Sequence, residues 1–250
     1  MSLSIGSRRF APQSWAVVLT AALVAAFVSL GWWQIGRAHE KRAMMESFER
    51  GGGTSVALDA ADIDELPRYQ HVSAAGQYEP ARQILLDNMP SSTGQPGYRV
   101  LTPLHRGGAE RILMVDRGWV PLGATRQQLP VVAVEGGPRS VAGRLDQLPV
   151  PGIRVGGAQA PGETGWPRVL NFPTQADVET AHGQPVESRI LLLDASSPDG
   201  YQRSWRPSVG FPPERHLGYA IQWFALAVTL IVIFVALSLQ NATGERSNTT

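Results

Sequence analysis

Residues Trp15–Trp33 read WAVVLTAALVAAFVSLGWW, and residues Leu217–Leu239 read LGYAIQWFALAVTLIVIFVALSL. The reading of these two stretches decides the architecture. No charged residue occurs from Phe10 to Gly36, and the one strongly polar side chain in the second stretch is Gln222. As a helix rising 1.5 Å per residue, the first stretch covers roughly 28 Å, close to the hydrocarbon thickness of a bilayer. The second is long enough to cross with some tilt. Trp15 at one end and Trp32 and Trp33 at the other stand where an aromatic belt would. A cleaved secretory signal is the rival reading of the first stretch, with Gly36 and Ala38 as the small pair before the cut. The apolar run is longer than a signal core, and two tryptophans precede that site.

Working outward, the chain divides into an N-terminal tail (1–14), a first span (15–33), a helical stalk reading QIGRAHEKRAMMESFER (34–50), a polar middle domain (51–213), a second span (214–239) and a short polar tail (240–250) that is expected to be disordered. Two spans place both tails on the same side. Arg8 and Arg9 precede the first span, but Arg37, Lys41 and Arg42 follow it, so counting basic residues does not settle which side.

The middle domain reads as mainly β. Segments His71–Tyr78, Gln83–Asn88, Tyr98–His105, Arg111–Val120, Arg139–Leu148 and Arg189–Asp194 are short and bounded by Gly, Pro and Asn. Within them, ILMVD (Ile112–Asp116) and ILLLD (Ile190–Asp194) are aliphatic runs that suit buried strands. Gly51–Gly53 and Pro149–Pro167 read as loops. Thr174–His182 predicts one short helix, with Thr174 as N-cap and Asp177 three positions on. The expected fold is therefore two transmembrane α-helices, N- and C-terminal, flanking one mainly antiparallel β domain, barrel-like or sandwich.

Composition excludes several functions. Net charge is +1, and no basic stripe with interleaved aromatics appears, so no nucleic acid is expected as a partner. There is no cysteine, hence no disulfide, thiolate metal site or cysteine nucleophile. Of 22 basic residues only Lys41 is lysine, which fits coding bias in a GC-rich genome. No G-x-S-x-G elbow, P-loop or H-E-x-x-H motif occurs, and the five histidines have no helical ligand spacing. The chain is not expected to be an enzyme, and no catalytic residue is nominated.

Two clusters can carry chemistry. At the start of the second span, FPPERHLGYAIQWFALA (Phe211–Ala227), the prolines suit a helix start. His216, Tyr219/Ala220 and Trp223 then share one face. His216 is a candidate haem-iron ligand flanked by Tyr219 and Trp223; an interfacial histidine in an ordinary Tyr/Trp belt is the alternative. Beyond the first span, Gln34, Arg37 and Lys41 fall at i, i+3 and i+7. The two cations suit haem propionates or a partner's acidic groups, and equally lipid phosphates. In VDRGWVP (Val115–Pro121), Asp116 and Arg117 are candidates for an ion pair and Trp119 for packing.

Taken in order, LGWWQIGRAHEK, YQHVSAAGQY, ILLDN, GYRVLTPL, VDRGWVP and HLGYAIQWF resemble the surfeit-locus protein family of cytochrome c oxidase assembly factors, from Leu30 to Ala227. The resemblance implies a bacterial cytoplasmic (inner) membrane protein with cytoplasmic tails and a periplasmic middle domain. It implies help in haem–copper oxidase biogenesis, at the insertion of haem a into subunit I. It also implies that the histidine of the H-L-x-Y motif, here His216, binds haem a, with Trp223 from the same motif. A glycine in the family's first strand falls at Gly76, ahead of Tyr78. Gln222 stands where many relatives have threonine, and Pro149–Gly165 matches nothing in the resemblance. The expected cofactor is haem a, with His216, Trp223, Tyr219, Arg37 and Gln34 as its candidate contacts. The expected partners are subunit I, other assembly factors and the lipid bilayer. The alternative is a scaffold that stabilises an oxidase subunit without binding haem.

Overall fold

The structure, a computed structural model, describes residues 3–5, 8–123, 125–126, 128–151, 165–207 and 210–241. In chain order the elements are β1 (Leu3–Ile5), β2 (Arg8–Phe10), α1 (Ser14–Arg50), β3 (Val56–Ala57), β4 (His71–Tyr78), β5 (Ile84–Asp87), β6 (Gly97–His105), β7 (Ile112–Pro121), β8 (Pro138–Asp146), β9 (Arg168–Asn171), α2 (Gln175–His182), β10 (Val186–Leu193), α3 (Pro213–Ser238) and β11 (Leu239–Asn241). The chain forms two compact units. One holds α1 up to Met45 together with α3; the other runs from Glu46 to Pro207.

In the helical unit, α1 continues without a break through the span and the stalk, and α3 starts at Pro213 with Pro212 as its cap. Both helices are long and apolar enough to cross a membrane, and only 6% and 11% of their apolar windows are buried in the protein. The core helix of a water-soluble protein would be mostly covered, so side chains such as Val18, Ile221 and Leu237, all more than half exposed, call for a lipid solvent. The exception is a seam of small residues. Gly31 and Ala38 on α1, and Ala220 and Ala227 on α3, are buried at seven-residue spacing. Small residues let two backbones approach closely in a membrane. Phe10 meets Phe234, Phe27 meets Trp223 and Trp32 meets Phe224, with ring centroids 6.2, 5.7 and 6.1 Å apart. Phe10, just ahead of α1, meets Phe234 near the end of α3, whereas Gln34, far along α1, meets His216 at the start of α3, so the helices are antiparallel. β1, β2 and β11 form a small antiparallel sheet, in which Leu239 pairs with Phe10. The second span thus ends at Ser238, and the start of the tail is ordered by pairing instead of trailing free; residues 242–250 lie outside the described residues.

The other unit is an eight-stranded sheet in the order β3-β4-β8-β10-β7-β6-β5-β9. Five of its pairings are antiparallel, including the extra β4–β6 pair, and three (β3–β4, β5–β9, β7–β10) are parallel. The sheet is mixed, and mainly antiparallel as expected. At the end of β4, Gln77 pairs both with Pro138 of β8 and with His105 of β6, and Tyr78 pairs with Leu104 of β6, so the pairings return on themselves. Gly76 permits this turn: a Cβ there would lie 2.6 Å from the carbonyl oxygen of His105.

The aliphatic runs fill two core layers because side chains alternate along a strand. Leu113, Val115, Leu191 and Leu193 enter one cluster with Val72 and Leu145. Ile112, Met114, Ile190 and Leu192 enter a second with Ile84, Leu101 and Val178 of α2. β7 and β10 are thus covered on both faces, which is why they read as unbroken apolar runs. α2 carries the capping box read from Thr174 and Asp177, and Gly183 closes it in the left-handed conformation. β3 and β9 went unrecognised in the sequence; they are two and four residues long. Most of the Pro149–Pro167 loop lies outside the described residues.

One expectation is corrected. Asp116 does not pair with Arg117, because neighbours on a strand point to opposite faces. Fully buried Asp116 pairs instead with Arg99 of β6, and its Oδ1 accepts the Gly118 N–H at 3.0 Å. Burial pushes its carboxyl up from the usual range, while Arg99 and the Gly118 N–H pull it back. Arg117, 2% exposed, turns the other way. Its guanidinium donates to the Asp199 carbonyl (2.7 Å), the Ala133 carbonyl (3.0 Å) and Gln83 Oε1 (3.0 Å), and lies over the Tyr201 ring. Neutral oxygens replace the solvation that this charge loses. Trp119 packs as expected, donating its indole N–H to the Met89 carbonyl at 2.7 Å.

Candidate functional site

The candidate ligand His216 lies in the first turn of α3, placed there by the proline start of the helix. Its partner is on α1. Gln34 is the first polar residue beyond the apolar run, and its Oε1 lies 2.7 Å from His216 Nδ1. The two residues are 182 positions apart in sequence and meet at one end of the antiparallel pair. The other ring nitrogen, Nε2, has no hydrogen-bond partner among the described residues. The ring of Phe211 stands edge-on to the imidazole at 6.5 Å, and Arg215 lies over Phe211 at 4.8 Å.

The face predicted for α3 is divided by the structure. Trp223, two turns along from His216, packs against Phe27 of α1, and Ala220 is buried between them. Tyr219 points outward and is 42% exposed. Trp32 and Trp33 on α1 are more than half exposed, and so is Phe211. Among the described residues, Phe211 is the aromatic ring that stands against the imidazole.

The row of Gln34, Arg37 and Lys41 is likewise divided. Gln34 turns to α3. Arg37 pairs with Glu40 one turn along at 2.8 Å and lies over the Trp33 ring at 5.5 Å, remaining half exposed. Lys41 is half-buried on the same helix. An exposed pair of this kind is worth about 0.3–0.5 kcal/mol, so Arg37 exchanges Glu40 for another anion at little cost.

Among the described residues, no three histidines or carboxylates gather to hold a metal ion. The titratable groups with large shifts lie in the β domain, and burial accounts for each first. It lowers His182 to about 4, keeping its imidazole neutral beside Trp166, and raises Tyr78 to about 12. Glu187 is raised by the same cause and held by Arg106. These groups are packed into the domain's structure and form no nucleophile–base pair.

A sequence model of the SURF1 family matches residues 21–228, which include most of α1, the first part of α3 and the whole β domain. The chain belongs to this family. A SURF1-like protein of Rickettsia felis is 27% identical over 217 residues, covering 83% of this chain and 90% of the relative. Those of Rickettsia conorii and Rickettsia prowazekii are 27% and 25% identical, covering 83% and 88% of this chain and 85% and 87% of theirs. The SURF1 family is known for cytochrome oxidase assembly factors, and this member is a membrane protein with two spans around one β domain. Gln34, His216 and Trp223 all lie inside the matched region.

Sequence reasoning passed over Phe27, Phe211 and the small residues of the seam. The seven-residue spacing of Gly31 and Ala38, matched by Ala220 and Ala227, was the signal that pairs the helices.

Proposed function

We propose that this protein assists the biogenesis of a haem–copper oxidase by holding haem a at the outer ends of its two spans for insertion into subunit I. The observation that carries the reading is the arrangement at His216: Nδ1 engaged at 2.7 Å by Gln34, Nε2 unengaged among the described residues, and the Phe211 ring edge-on beside it. That donor set fits a haem. A neutral imidazole nitrogen supplies the axial ligand. Tyr219 and Phe211 offer exposed apolar surface to a flat ring, Trp223 packs behind it against Phe27, and Arg37 and Lys41 lie about one and two turns beyond Gln34 on α1 for propionates. Bound haem supplies the redox chemistry; the protein's part is to bind, orient and shield it. Insertion requires no bond in the haem to change, so no catalytic residue is needed. The β domain serves as a docking surface for subunit I and other assembly factors.

The test is the absorption spectrum of protein purified from cells that make haem a. Wild type is expected to carry a haem spectrum, and His216→Ala to lose it. A colourless wild type overturns the reading in favour of the scaffold that stabilises an oxidase subunit without haem.

The same reading places the protein in the bacterial inner membrane, with the β domain in the periplasm and both tails in the cytoplasm. A reporter active only in the periplasm should work when fused after residue 130 and fail when fused after residue 245. The opposite pattern sinks the orientation.

A further inference from the structure

We infer that Gln34 is a positioning residue that fixes the tautomer of His216, leaving Nε2 as the nitrogen that coordinates; this rests on the reading of His216 as a haem ligand. A neutral imidazole has one N–H and one lone pair. Iron takes the lone pair, so the proton must sit on the other nitrogen, and the bond made by that nitrogen decides where it sits. Here the acceptor oxygen of Gln34 lies 2.7 Å from Nδ1, a short hydrogen bond that calls for the proton on Nδ1. Nε2 is left with its lone pair and no partner among the described residues.

The backbone fixes this contact as well as the side chains. Gln34 lies between Gly31 and Ala38, the two buried small residues of α1. There α3 comes close enough that a Cβ at Gly31 would lie 2.7 Å from the Phe224 ring. The amide therefore reaches across a gap held narrow on both sides. The pair is half-buried, so fewer waters compete for it, and a hydrogen bond in such surroundings is stronger than in water. The contact also holds the plane of the imidazole, with Phe211 edge-on to it. Grouping Gln34 with Arg37 and Lys41 as a third contact to the ligand's periphery misplaces it: Gln34 acts through His216.

The experiment uses the full chain in lipid nanodiscs, with nitrogen-15-labelled histidine and no haem. The His216 signals are assigned by their loss in His216→Ala. Wild type should show the Nδ1–H tautomer. Gln34→Glu keeps an acceptor and should keep that tautomer. Gln34→Leu removes the acceptor and should give a mixture of tautomers. Titration with haem a should then show Gln34→Leu binding about ten- to a hundredfold more weakly, the usual effect of removing a ligand's hydrogen-bond partner. Gln34→Glu should bind nearly as wild type, with a shifted haem spectrum because the imidazole becomes more basic. A Gln34→Leu protein with the wild-type tautomer and affinity overturns the positioning role and leaves the haem reading standing. A wild type that shows the Nδ1–H tautomer but takes up no haem a does the reverse.

Discussion

Asp116→Ala is expected to destabilise the β domain by about 3–5 kcal/mol, the usual result of removing one member of a buried ion pair. At about 2–4 °C per kcal/mol for a domain of this size, the unfolding midpoint should fall by roughly 6–20 °C. The carboxylate is fully buried and holds the Arg99 guanidinium, which also lies over the Trp205 ring at 5.0 Å. Without Asp116 the Arg99 charge stays in place without a counter-ion, left with the Trp205 ring and its one-fifth solvent exposure. The Gly118 N–H, which now donates to Oδ1, also loses its acceptor. Gly118 has φ of +111° at this point, so the backbone cannot simply continue as regular strand to find another partner. Removing both charges is a different experiment. The double variant Asp116→Leu with Arg99→Met should recover much of the loss, since apolar residues of similar volume often replace a buried pair at little cost. Denaturant unfolding of the full chain in detergent, followed by tryptophan fluorescence, measures all three. An Asp116→Ala protein within about 1 kcal/mol of wild type would show that the pair does not hold the domain together.

The sequence made this architecture readable wherever a local rule and the tertiary structure agree. The spans are long and free of charge, α2 has its capping box at Thr174 and Asp177, and β7 and β10 are apolar on both faces because both faces are covered. What was not legible depends on register between distant segments. β6 and β7 set Asp116 opposite Leu101, so Arg99, two positions along on the same face of β6, reaches it diagonally. Arg117 next to it, the obvious partner by sequence, faces away. The same holds at the candidate site. Periodicity along α1 grouped Gln34 with two cations, yet the offset between antiparallel helices gives it to His216. One helix's pattern shows which residues share a face. It does not show what the face meets. The β4–β6 closure falls in the same class, where Gly76 was the one visible trace of a close approach.

Gly31→Leu should part the two spans at the level of the site and abolish the Gln34–His216 contact. A Cβ at residue 31 would lie 2.7 Å from two atoms of the Phe224 ring and 3.0 Å from a third, closer than any carbon contact tolerates. The ring cannot swing away freely, because Trp32 stands edge-on against it at 6.1 Å. The helices must move instead, and Gln34 is less than one turn, under about 5.4 Å, further along. Overpacking of this kind costs about 1–3 kcal/mol, which is about a 5- to 150-fold drop in the ratio of paired to parted helices. Because the chain has no cysteine, a single introduced pair reports on spacing without background. With Gln34→Cys and His216→Cys, a short bismaleimide should bridge the spans efficiently, and adding Gly31→Leu should cut the yield at least severalfold. In the chain that keeps Gln34 and His216, the same substitution should reduce haem a retention. Phe224→Ala, which opens room for the new side chain, should restore both. If Gly31→Leu bridges as readily as its parent, the small-residue seam does not set the distance between Gln34 and His216, and the geometry of the site must be held by something other than close packing of the spans.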